Sequence, residues 1–419
     1  MTSPVSNSAV SAPPSALAQP STLPSQRTLI LLVGALGAFG PLSIDMYLPG
    51  LPELRADFGV AASQTQLTLS ACLLGLATGQ LLAGPMSDAF GRRRPLMLGV
   101  GLYAVASLLC AVAPTIEVLI AFRFIQGFAG AAGIVIARSV VRDLYSGVAA
   151  ARFFSLLLLV SGLAPILAPL LGGQLLQVVS WRGVFVTLAL IGAALVTATA
   201  LFLTETHPPE HRQPAGARSI LRTFRRLVAD RIFVGYALSG GLASAALFSY
   251  ISGSPFLLQE IYDVSPQTFS FIFAAIAAGY VTCGQINGRL VGRVAPKALL
   301  RLGLIGMATG GIAFLLMVVI GGSGGVGLIG VVPALVMLVS SLGFILPNST
   351  ALALADHPRT AGSASALIGL LQYAVGATVA PLVGIAGEDT AVPMAIVVAT
   401  AATSALIVFL TLTRRSSPA

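Results

Sequence analysis

Two charged residues stand inside apolar runs of this sequence, and they are the first candidates for chemistry. Asp45 lies in the run 29–51 and Arg123 in the run 117–139. Each lies about six residues from the outer end of its run, roughly 9 Å deep if the runs are membrane-spanning helices, so the two could share one cavity. An ionised residue in such a span costs at least ~2.5 kcal/mol and is seldom accidental. We therefore expect Asp45 to be a proton-binding carboxylate.

Arg123 would set the electric field at Asp45, or bridge to Gln126 and to backbone carbonyls. Movement of a helix could then switch the protonation of Asp45, because burial favours the neutral carboxyl and a nearby guanidinium favours the carboxylate. The structural alternative is an ion pair near the outer surface, with Asp45 capping its helix before Pro49. Gly37 lies two turns inward, where a second acid could stand, so coupling through a single carboxylate rests on Asp45.

A short charged turn, residues 84–95 (GPMSDAFGRRRP), separates the second and third apolar runs. Asp88 stands at the very end of an apolar run, where an acid that makes and breaks contacts could belong to a moving part. The three arginines at 92–94 have a plainer interpretation, because basic residues fix the side of the membrane on which a short loop lies. For Arg94 this plainer role is the one we favour.

The elements that must position these residues are membrane-spanning helices. The chain of 419 residues is 56% hydrophobic and only 9% charged, with a mean hydropathy of +0.93. Soluble proteins of this size carry far more charge. Runs long enough to cross a bilayer as helices of roughly 20 residues lie at 29–51, 64–86, 95–114, 117–139, 150–173, 183–203, 231–254, 267–289, 298–320, 328–351, 362–386 and 391–412. We predict an all-α membrane protein with twelve transmembrane helices.

The charges outside these runs are distributed unevenly. Of the 23 Lys and Arg residues, twenty lie in one set of loops, and the other set holds only Arg55 and Arg182. Basic residues concentrate on the cytoplasmic side of membrane proteins, which places both termini in the cytoplasm. The net charge of +9 thus reflects topology and contact with anionic lipid. Binding to nucleic acid is not expected.

The longest hydrophilic segment divides the apolar runs into six and six. We predict a disordered cytoplasmic tail at 1–28, an N-terminal six-helix bundle at 29–203, a cytoplasmic linker at 204–230, a C-terminal six-helix bundle at 231–412 and a cytoplasmic tail at 413–419. The sequence APLLG at 168–172 matches APLVG at 380–384, and the turn 84–95 has a weaker counterpart at 288–297, with Gly292 in place of Asp88. A parallel repeat of six spans is one way in which secondary transporters are built, so we expect two pseudo-symmetric halves.

On these motifs the chain resembles the major facilitator superfamily. Gly84-x-x-x-Asp88-x-x-Gly91-Arg92-Arg93 resembles the superfamily signature between helices two and three. RFIQG at 123–127 resembles the helix-four motif of the drug:proton antiporters, and GLAPILAPLLGG at 162–173 resembles their helix-five motif, with alanine at 168 where glycine is usual. SIDMYLP at 43–49, RDLY at 142–145 and WR at 181–182 resemble the Bcr/CflA drug-resistance branch. The resemblance covers the chain after its tail.

The resemblance implies a gate in the charged turn. Asp88 would cap a neighbouring helix, or pair with Arg142 or Arg138, in the outward-facing state, and loss of this contact would permit inward opening. The gating residues that this implies are Gly84, Asp88, Gly91, Arg92 and Arg93.

The helix-five pattern has a mechanical reason, because small residues let helices approach closely and proline permits a bend. The antiporter-motif residues would be Gly162, Pro165, Pro169, Gly172 and Gly173, with ordinary small-residue packing as the alternative. A mostly apolar cavity with a few polar or aromatic groups suits moderately lipophilic compounds. Candidates for its lining, each of which could instead serve packing, are Tyr47, Gln66, Ser70, Gln126, Tyr250, Asn348, Gln372 and Tyr373.

We therefore expect a proton-coupled antiporter that exports drugs or toxic small molecules across the bacterial inner membrane by alternating access, and not an enzyme. Its partners would be a drug-like small molecule, protons and membrane lipid, and we expect a monomer. No cofactor or metal is expected, because a phosphate-binding loop is missing and the three histidines lack metal-ligand spacing. A transporter of a normal metabolite, such as an amino acid or sugar exporter or symporter, is the alternative. A channel or membrane sensor would need a pore ring or a soluble domain, and neither is visible.

Overall fold

A computed structural model describes residues 26–145, 147–212, 217–321, 327–357, 360–384 and 390–413. Residues 1–25 of the predicted N-terminal tail, residues 213–216 of the predicted linker and residues 414–419 of the predicted C-terminal tail lie outside the described residues. The α-helices are α1 Gln26–Gly37, α2 Phe39–Asp45, α3 Leu51–Phe58, α4 Ala62–Phe90, α5 Arg93–Ala111, α6 Ile116–Leu144, α7 Gly147–Leu175, α8 Trp181–Phe202, α9 Ala217–Ala229, α10 Arg231–Pro255, α11 Pro266–Leu290, α12 Pro296–Gly321, α13 Gly327–Ser340, α14 Leu342–Leu354, α15 Ala361–Val379 and α16 Val392–Leu412. Short 3₁₀ or π segments at Leu48–Gly50, Pro209–His211, Phe256–Ile261 and Ala380–Gly384 complete the helical structure of the described ranges.

The helices match the predicted spans. Within the described residues, ten helical stretches are long and apolar enough to cross a membrane, and the bent pair Thr28–Gly37 and Phe39–Phe58 makes eleven. Helix α7 accounts for the remaining predicted span, with a described apolar stretch at Gly162–Leu175. Large apolar side chains such as Leu98, Leu190 and Ile329 remain exposed, as lipid-facing residues do. The predicted all-α membrane fold is confirmed.

Glycines let neighbouring helices approach closely at equivalent places in the chain. A Cβ at Gly127 of α6 would lie 2.1 Å from the carbonyl oxygen of Cys72 in α4. A Cβ at Gly343 of α14 would lie 2.4 Å from the backbone nitrogen of Gly284 in α11. These pairs join predicted spans two and four and predicted spans eight and ten. Small residues at helix crossings are the usual device of membrane proteins, in which van der Waals packing drives association.

The bundle has two chemically different ends. At one end, which we call the acidic end, the acids Glu53, Asp57, Glu117, Glu260 and Asp263 outnumber the bases Arg55 and Arg182. Most of the described arginines lie at the other end, which we call the basic end, where they outnumber acids such as Asp88, Asp143 and Glu205. At the acidic end, three hydrogen bonds join helices before the predicted linker to helices after it. Arg55 Nη1 donates to Glu260 Oε1 at 2.7 Å, Gln66 Nε2 to the carbonyl of Ser252 at 3.4 Å, and Gln267 Nε2 to the carbonyl of Gly173 at 3.0 Å.

Candidate functional site

A cavity of about 250 Å³ lies between the two halves of the chain. Its walls are apolar and aromatic, and Asp45 is the charged residue in its lining. The first half contributes Gly40, Pro41, Ile44, Asp45 and Pro165, and the second half contributes Leu247, Phe248, Tyr250, Ile251, Phe273, Ala277, Tyr280, Val339, Leu342 and Tyr373. A mostly apolar cavity with a few convergent polar groups is the usual form of a small-molecule site.

Asp45 reaches this cavity because the first predicted span is broken twice. Helix α1 ends at Gly37, and α2 begins at Phe39 after a bend of 44°. Helix α2 ends at Asp45, and the chain then turns into the 3₁₀ segment that contains Pro49. The Asp45 side chain is buried, and its Oδ1 has no hydrogen-bond partner among the described residues. Leaving a buried oxygen without a hydrogen-bond donor costs free energy. A proton on Asp45, or a donor group on a bound molecule, would remove that cost.

Helix α7 fixes the position of the end of α2. A Cβ at Gly172 would lie 1.9 Å from the carbonyl oxygen of Met46, the residue after Asp45. The neighbouring Gly173 faces the second half, where a Cβ would lie 2.3 Å from Ser270 Oγ in α11. Two adjacent glycines of the helix-five motif thus let α7 contact both the Asp45 segment and the other half. Pro165 lines the cavity itself, whereas a Cβ at Gly162 would make only ordinary contacts with Val281 at 3.6 Å.

Arg123 does not line this cavity. It is fully buried within the first half, with its guanidinium carbon 4.3 Å from the centre of the Tyr47 ring and 5.5 Å from that of Phe185. Its Nη1 donates to Gln126 Oε1, and Gln126 Nε2 donates to Ser107 Oγ at 2.7 Å. The bridge to Gln126 that the sequence suggested is present, whereas Asp45 and Arg123 form no ion pair in this structure.

Polar contacts with two residues that the sequence did not single out, Tyr103 and Thr68, tie Asp45's helix into the first half. Tyr103 Oη lies 2.8 Å from Ser43 Oγ, and Tyr47 Oη lies 3.2 Å from Thr68 Oγ1. Each pair joins α2 or the turn after it to a neighbouring helix, α5 or α4. Tyr and Thr are ordinary residues in apolar runs, so only the spatial arrangement identifies them. The same holds for the aromatic lining residues Phe248, Phe273 and Tyr280.

The predicted substrate-cavity residues are spread over several places. Tyr250 and Tyr373 line the cavity, whereas Tyr47 and Gln126 belong to the network around Arg123. Gln66 hydrogen-bonds to the other half at the acidic end, and Asn348 Nδ2 donates to Asn287 Oδ1 at 2.6 Å, within the second half. Ser70 is buried without a hydrogen bond from its hydroxyl, and Gln372 is half-buried outside the cavity lining. Across the described part of the chain, no group of three His, Cys, Asp or Glu residues could hold a metal ion.

The charged turn forms an ion network centred on Arg92. This side chain is only 5% exposed, and its Nε donates to Asp143 Oδ2 at 2.8 Å. Its Nη1 donates both to Ser87 Oγ and to Asp88 Oδ1. Burial alone would lower the pKa of Arg92, but the hydrogen bonds to Asp143 and Asp88 outweigh it and raise the pKa above its usual value. Arg92 therefore stays charged and joins the ends of α4 and α6.

Glu205 and Thr206, at the start of the predicted linker, form hydrogen bonds with this turn and with Asp143. Glu205 accepts hydrogen bonds from the backbone nitrogens of Arg92 at 2.7 Å and Arg93 at 3.3 Å, where α5 begins. A carboxylate there satisfies free N–H groups and complements the helix dipole. Thr206 Oγ1 donates to Asp143 Oδ2 at 3.2 Å. Neither acid was predicted as a site residue from the sequence, where Asp143 appears only within the RDLY motif, although an acid among so many basic-end arginines is a usable signal.

The remaining turn residues differ in their surroundings. Arg93 donates through Nη2 to the carbonyl of Ala200 at 2.7 Å, whereas Arg94 is exposed. A Cβ at Gly84 would meet only Val135, at 3.8 Å. Arg142 donates to Ser139 Oγ at 3.1 Å, and the pairing of Asp88 with Arg142 or Arg138 in an outward-facing state stays a prediction.

Known proteins are similar to this chain in sequence over nearly their whole length. The family described as Major Facilitator Superfamily matches residues 33–381. An uncharacterized MFS-type transporter of Bacillus subtilis (strain 168), YdgK, is 42% identical over 92% of this chain and 95% of its own. A bicyclomycin resistance protein homolog of Haemophilus influenzae is 30% identical over 92% of this chain and 96% of its own. The second relative supports the resemblance to the drug-resistance branch.

The fold has counterparts among solved structures. A bacterial homolog of the human lysosomal transporter Spinster, in an inward-facing and occupied conformation, superposes with a TM-score of 0.72. It covers 93% of this chain and 95% of its own at 16% identity, a likeness that concerns the fold alone. Sequence family, helical architecture and structural neighbour agree, and the chain belongs to the major facilitator superfamily.

Proposed function

We propose that this chain is a proton-coupled antiporter that exports drug-like small molecules across the bacterial inner membrane. The observation that carries the proposal is the Asp45 carboxylate, buried at the wall of an apolar, aromatic cavity between the two halves. The 30% identity to a bicyclomycin resistance protein homolog supports a drug-like substrate. Aromatic walls at Phe248, Tyr250 and Phe273 suit a moderately lipophilic molecule.

Asp45 would couple the proton to the substrate by changing its surroundings during the cycle. In the present arrangement its Oδ1 accepts no hydrogen bond from the described residues, so protonation removes the cost of a buried charge in an apolar wall. A proton that reaches Asp45 while the cavity is open toward the outside is released when the halves rock and water enters from the cytoplasmic side, where hydration favours the carboxylate form. Arg123 lies within the same half and moves with Asp45, so it would bias the field at the carboxyl without pairing with it.

The charges at the two ends would set the orientation of the chain in the membrane. The basic end would face the cytoplasm, which places both termini there. The hydrogen bonds between the halves at the acidic end then correspond to a state closed toward the outside. The cycle needs no ATP and no cofactor in this proposal, because an inward proton gradient supplies the free energy. The transporter would act as a monomer, since one chain forms the whole cavity.

The test begins with substrate identification. A pump-deficient bacterial host expressing this chain is screened against a broad antibiotic panel, and the compound with the largest gain in resistance becomes the probe. Purified transporter is then reconstituted in proteoliposomes, and probe accumulation driven by an imposed pH gradient is measured.

We expect Asp45→Asn to abolish gradient-driven accumulation, because the amide cannot bind and release the proton. Glu117→Gln is the control, since this acid is exposed at the acidic end, and it should transport as the parent chain does. Gradient-driven transport by Asp45→Asn at the parental rate would remove Asp45 from the coupling role. Proton and probe moving in the same direction would indicate symport instead.

A further inference from the structure

A second cavity of about 440 Å³ opens at the basic end, far from Asp45. It lies between the start of α12 and the end of α16, which pack against each other. Its lining combines two cations with apolar side chains: Ala295, Lys297, Ala298, Arg301, Phe409, Leu410 and Thr413. This lining contains no carboxylate, so the cavity carries an unbalanced positive charge.

The two cations of the cavity, Lys297 and Arg301, differ in their hydrogen bonds. Lys297 Nζ donates to the carbonyl oxygen of Thr413 at 3.0 Å. Beside the cavity, Arg231 Nη2 donates to the carbonyl oxygen of Thr411 at 2.9 Å. Both bonds satisfy carbonyls at the end of α16, where a helix lacks its own donors. Arg301 makes no hydrogen bond or ion pair with any residue in the described ranges. Within these ranges, the guanidinium at the cavity wall has no protein acceptor that would compete with a ligand.

The apolar surface next to the cavity continues into the membrane-spanning part of the bundle. Ile305 follows Arg301 by one helical turn on the same face of α12 and is 48% exposed. On α16, Ile407 precedes Leu410 by one turn, and these side chains are 58% and 42% exposed. A ligand seated here would meet guanidinium and ammonium groups at the basic end and apolar side chains deeper in the bilayer.

We propose that this cavity binds an anionic phospholipid, with its phosphate on Arg301 and Lys297 and an acyl chain along Ile305 and Ile407. A guanidinium can bind a phosphate group through two parallel N–H···O bonds. Basic pockets between helices on the cytoplasmic side of membrane proteins accept such headgroups. Free phosphate offers the same headgroup chemistry, but it leaves the apolar part of the site unfilled. The assignment does not depend on the role of Asp45 or on the substrate.

The test counts lipid on the purified full-length protein by native mass spectrometry after addition of phosphatidylglycerol or phosphatidylcholine. The parent chain should retain phosphatidylglycerol in preference to phosphatidylcholine. Arg301→Gln should bind phosphatidylglycerol about tenfold more weakly, because it loses a charge-assisted hydrogen bond. Arg94→Gln removes the same charge from an exposed basic-end site in the other half, and it should bind as the parent does. Arg301→Lys keeps the charge and should retain most of the selectivity.

The thermal unfolding temperature separates the two sources of phosphate. Short-chain phosphatidylglycerol should raise it for the parent chain and not for Arg301→Gln, whereas inorganic phosphate at the same concentration should leave it unchanged. Equal protection by inorganic phosphate would replace the lipid by a free anion and overturn the proposal. Undiminished selectivity for phosphatidylglycerol in Arg301→Gln would also overturn the proposal. Complete loss of that selectivity in Arg94→Gln or in Arg301→Lys would overturn it as well.

Discussion

Gly91 holds the charged turn in a backbone conformation that side chains disfavour. Its φ of 88° and ψ of 168° lie in a region that is essentially restricted to glycine. The turn also leaves no room for a side chain, because a Cβ at Gly91 would lie 2.5 Å from Glu205 Oε2 and 2.8 Å from Arg212 Nη2. This glycine therefore lets the start of the predicted linker pack against the Arg92 network.

We expect Gly91→Ala to destabilise the protein by ~1–3 kcal/mol, the usual cost of a side chain in such a conformation. The matched control is Gly84→Ala in the same turn, where the added Cβ would lie 3.8 Å from Val135 and alanine favours the helix. Thermal unfolding of the purified proteins should show a lower midpoint for Gly91→Ala alone. Equal midpoints for the two variants would contradict this account of the turn.

Residue type and position identified Asp45 and Arg123 as charges within apolar runs, but they did not predict that the two side chains have different neighbours. Asp45 and Arg123 lie at similar depth in their apolar runs, which suggested one shared cavity. Depth follows from counting residues, whereas direction depends on packing: neighbouring positions on a helix point about 100° apart. Packing of Tyr47 and Phe185 against Arg123 turns it into the first half, and no pattern in a single sequence encodes that contact.

Helix α7 is the element that connects the cavity to the contact between the halves. Through Gly172 it touches the backbone just after Asp45, through Pro165 it lines the cavity, and through Gly173 it meets α11 of the other half. A shift of α7 relative to α11 would therefore displace the backbone at the end of α2. We therefore expect the helix-five motif to position the Asp45 segment against the other half.

We expect Gly172→Ala to reduce the proposed drug export at least tenfold, because its Cβ would lie 1.9 Å from a backbone oxygen that cannot rotate away. Overpacking of this kind costs ~1–3 kcal/mol and displaces the backbone. Gly162→Ala belongs to the same motif, but its Cβ would make ordinary contacts at 3.6 Å, and it should export normally. The measurement is drug efflux from cells, normalised to membrane expression. Parental export by Gly172→Ala at equal expression would exclude this role for the close contact.

Element lengths were predictable where hydrophobicity decides them and less so where packing does. Long apolar runs give the spans directly, since a bilayer requires about 20 apolar residues per helix. The predicted first span, 29–51, is instead divided into α1, α2 and a 3₁₀ segment, and α3 continues it to Phe58. Helical periodicity is similar before and after such breaks, so hydropathy alone does not reveal them. The contact of Glu205 with the charged turn joins residues more than 100 positions apart, which composition cannot indicate.

In the whole molecule, an ion pair links the two halves at the acidic end. Arg55 from α3 and Glu260 from the π-helical segment after α10 form an ion pair at 2.7 Å, with side chains 27% and 22% exposed. Ion pairs with solvent access contribute up to ~1 kcal/mol, which corresponds to about a fivefold change in a two-state equilibrium. Between two states of similar free energy, that contribution is enough to alter which one predominates.

We expect Glu260→Gln to shift the population toward states open at the acidic end by up to about fivefold, because the charge attraction across the halves is lost. The distance between spin labels at the exposed positions 178 and 263, measured by pulsed electron resonance in a cysteine-free background, reports that opening. The charge-swapped pair Arg55→Glu with Glu260→Arg restores an attraction of the same sign, so it should return the distance distribution toward that of the parent. If the swapped pair stays as open as the single variant, attraction between these two charges is not what closes the acidic end, and the hydrogen bonds of Gln66 and Gln267 become the next candidates.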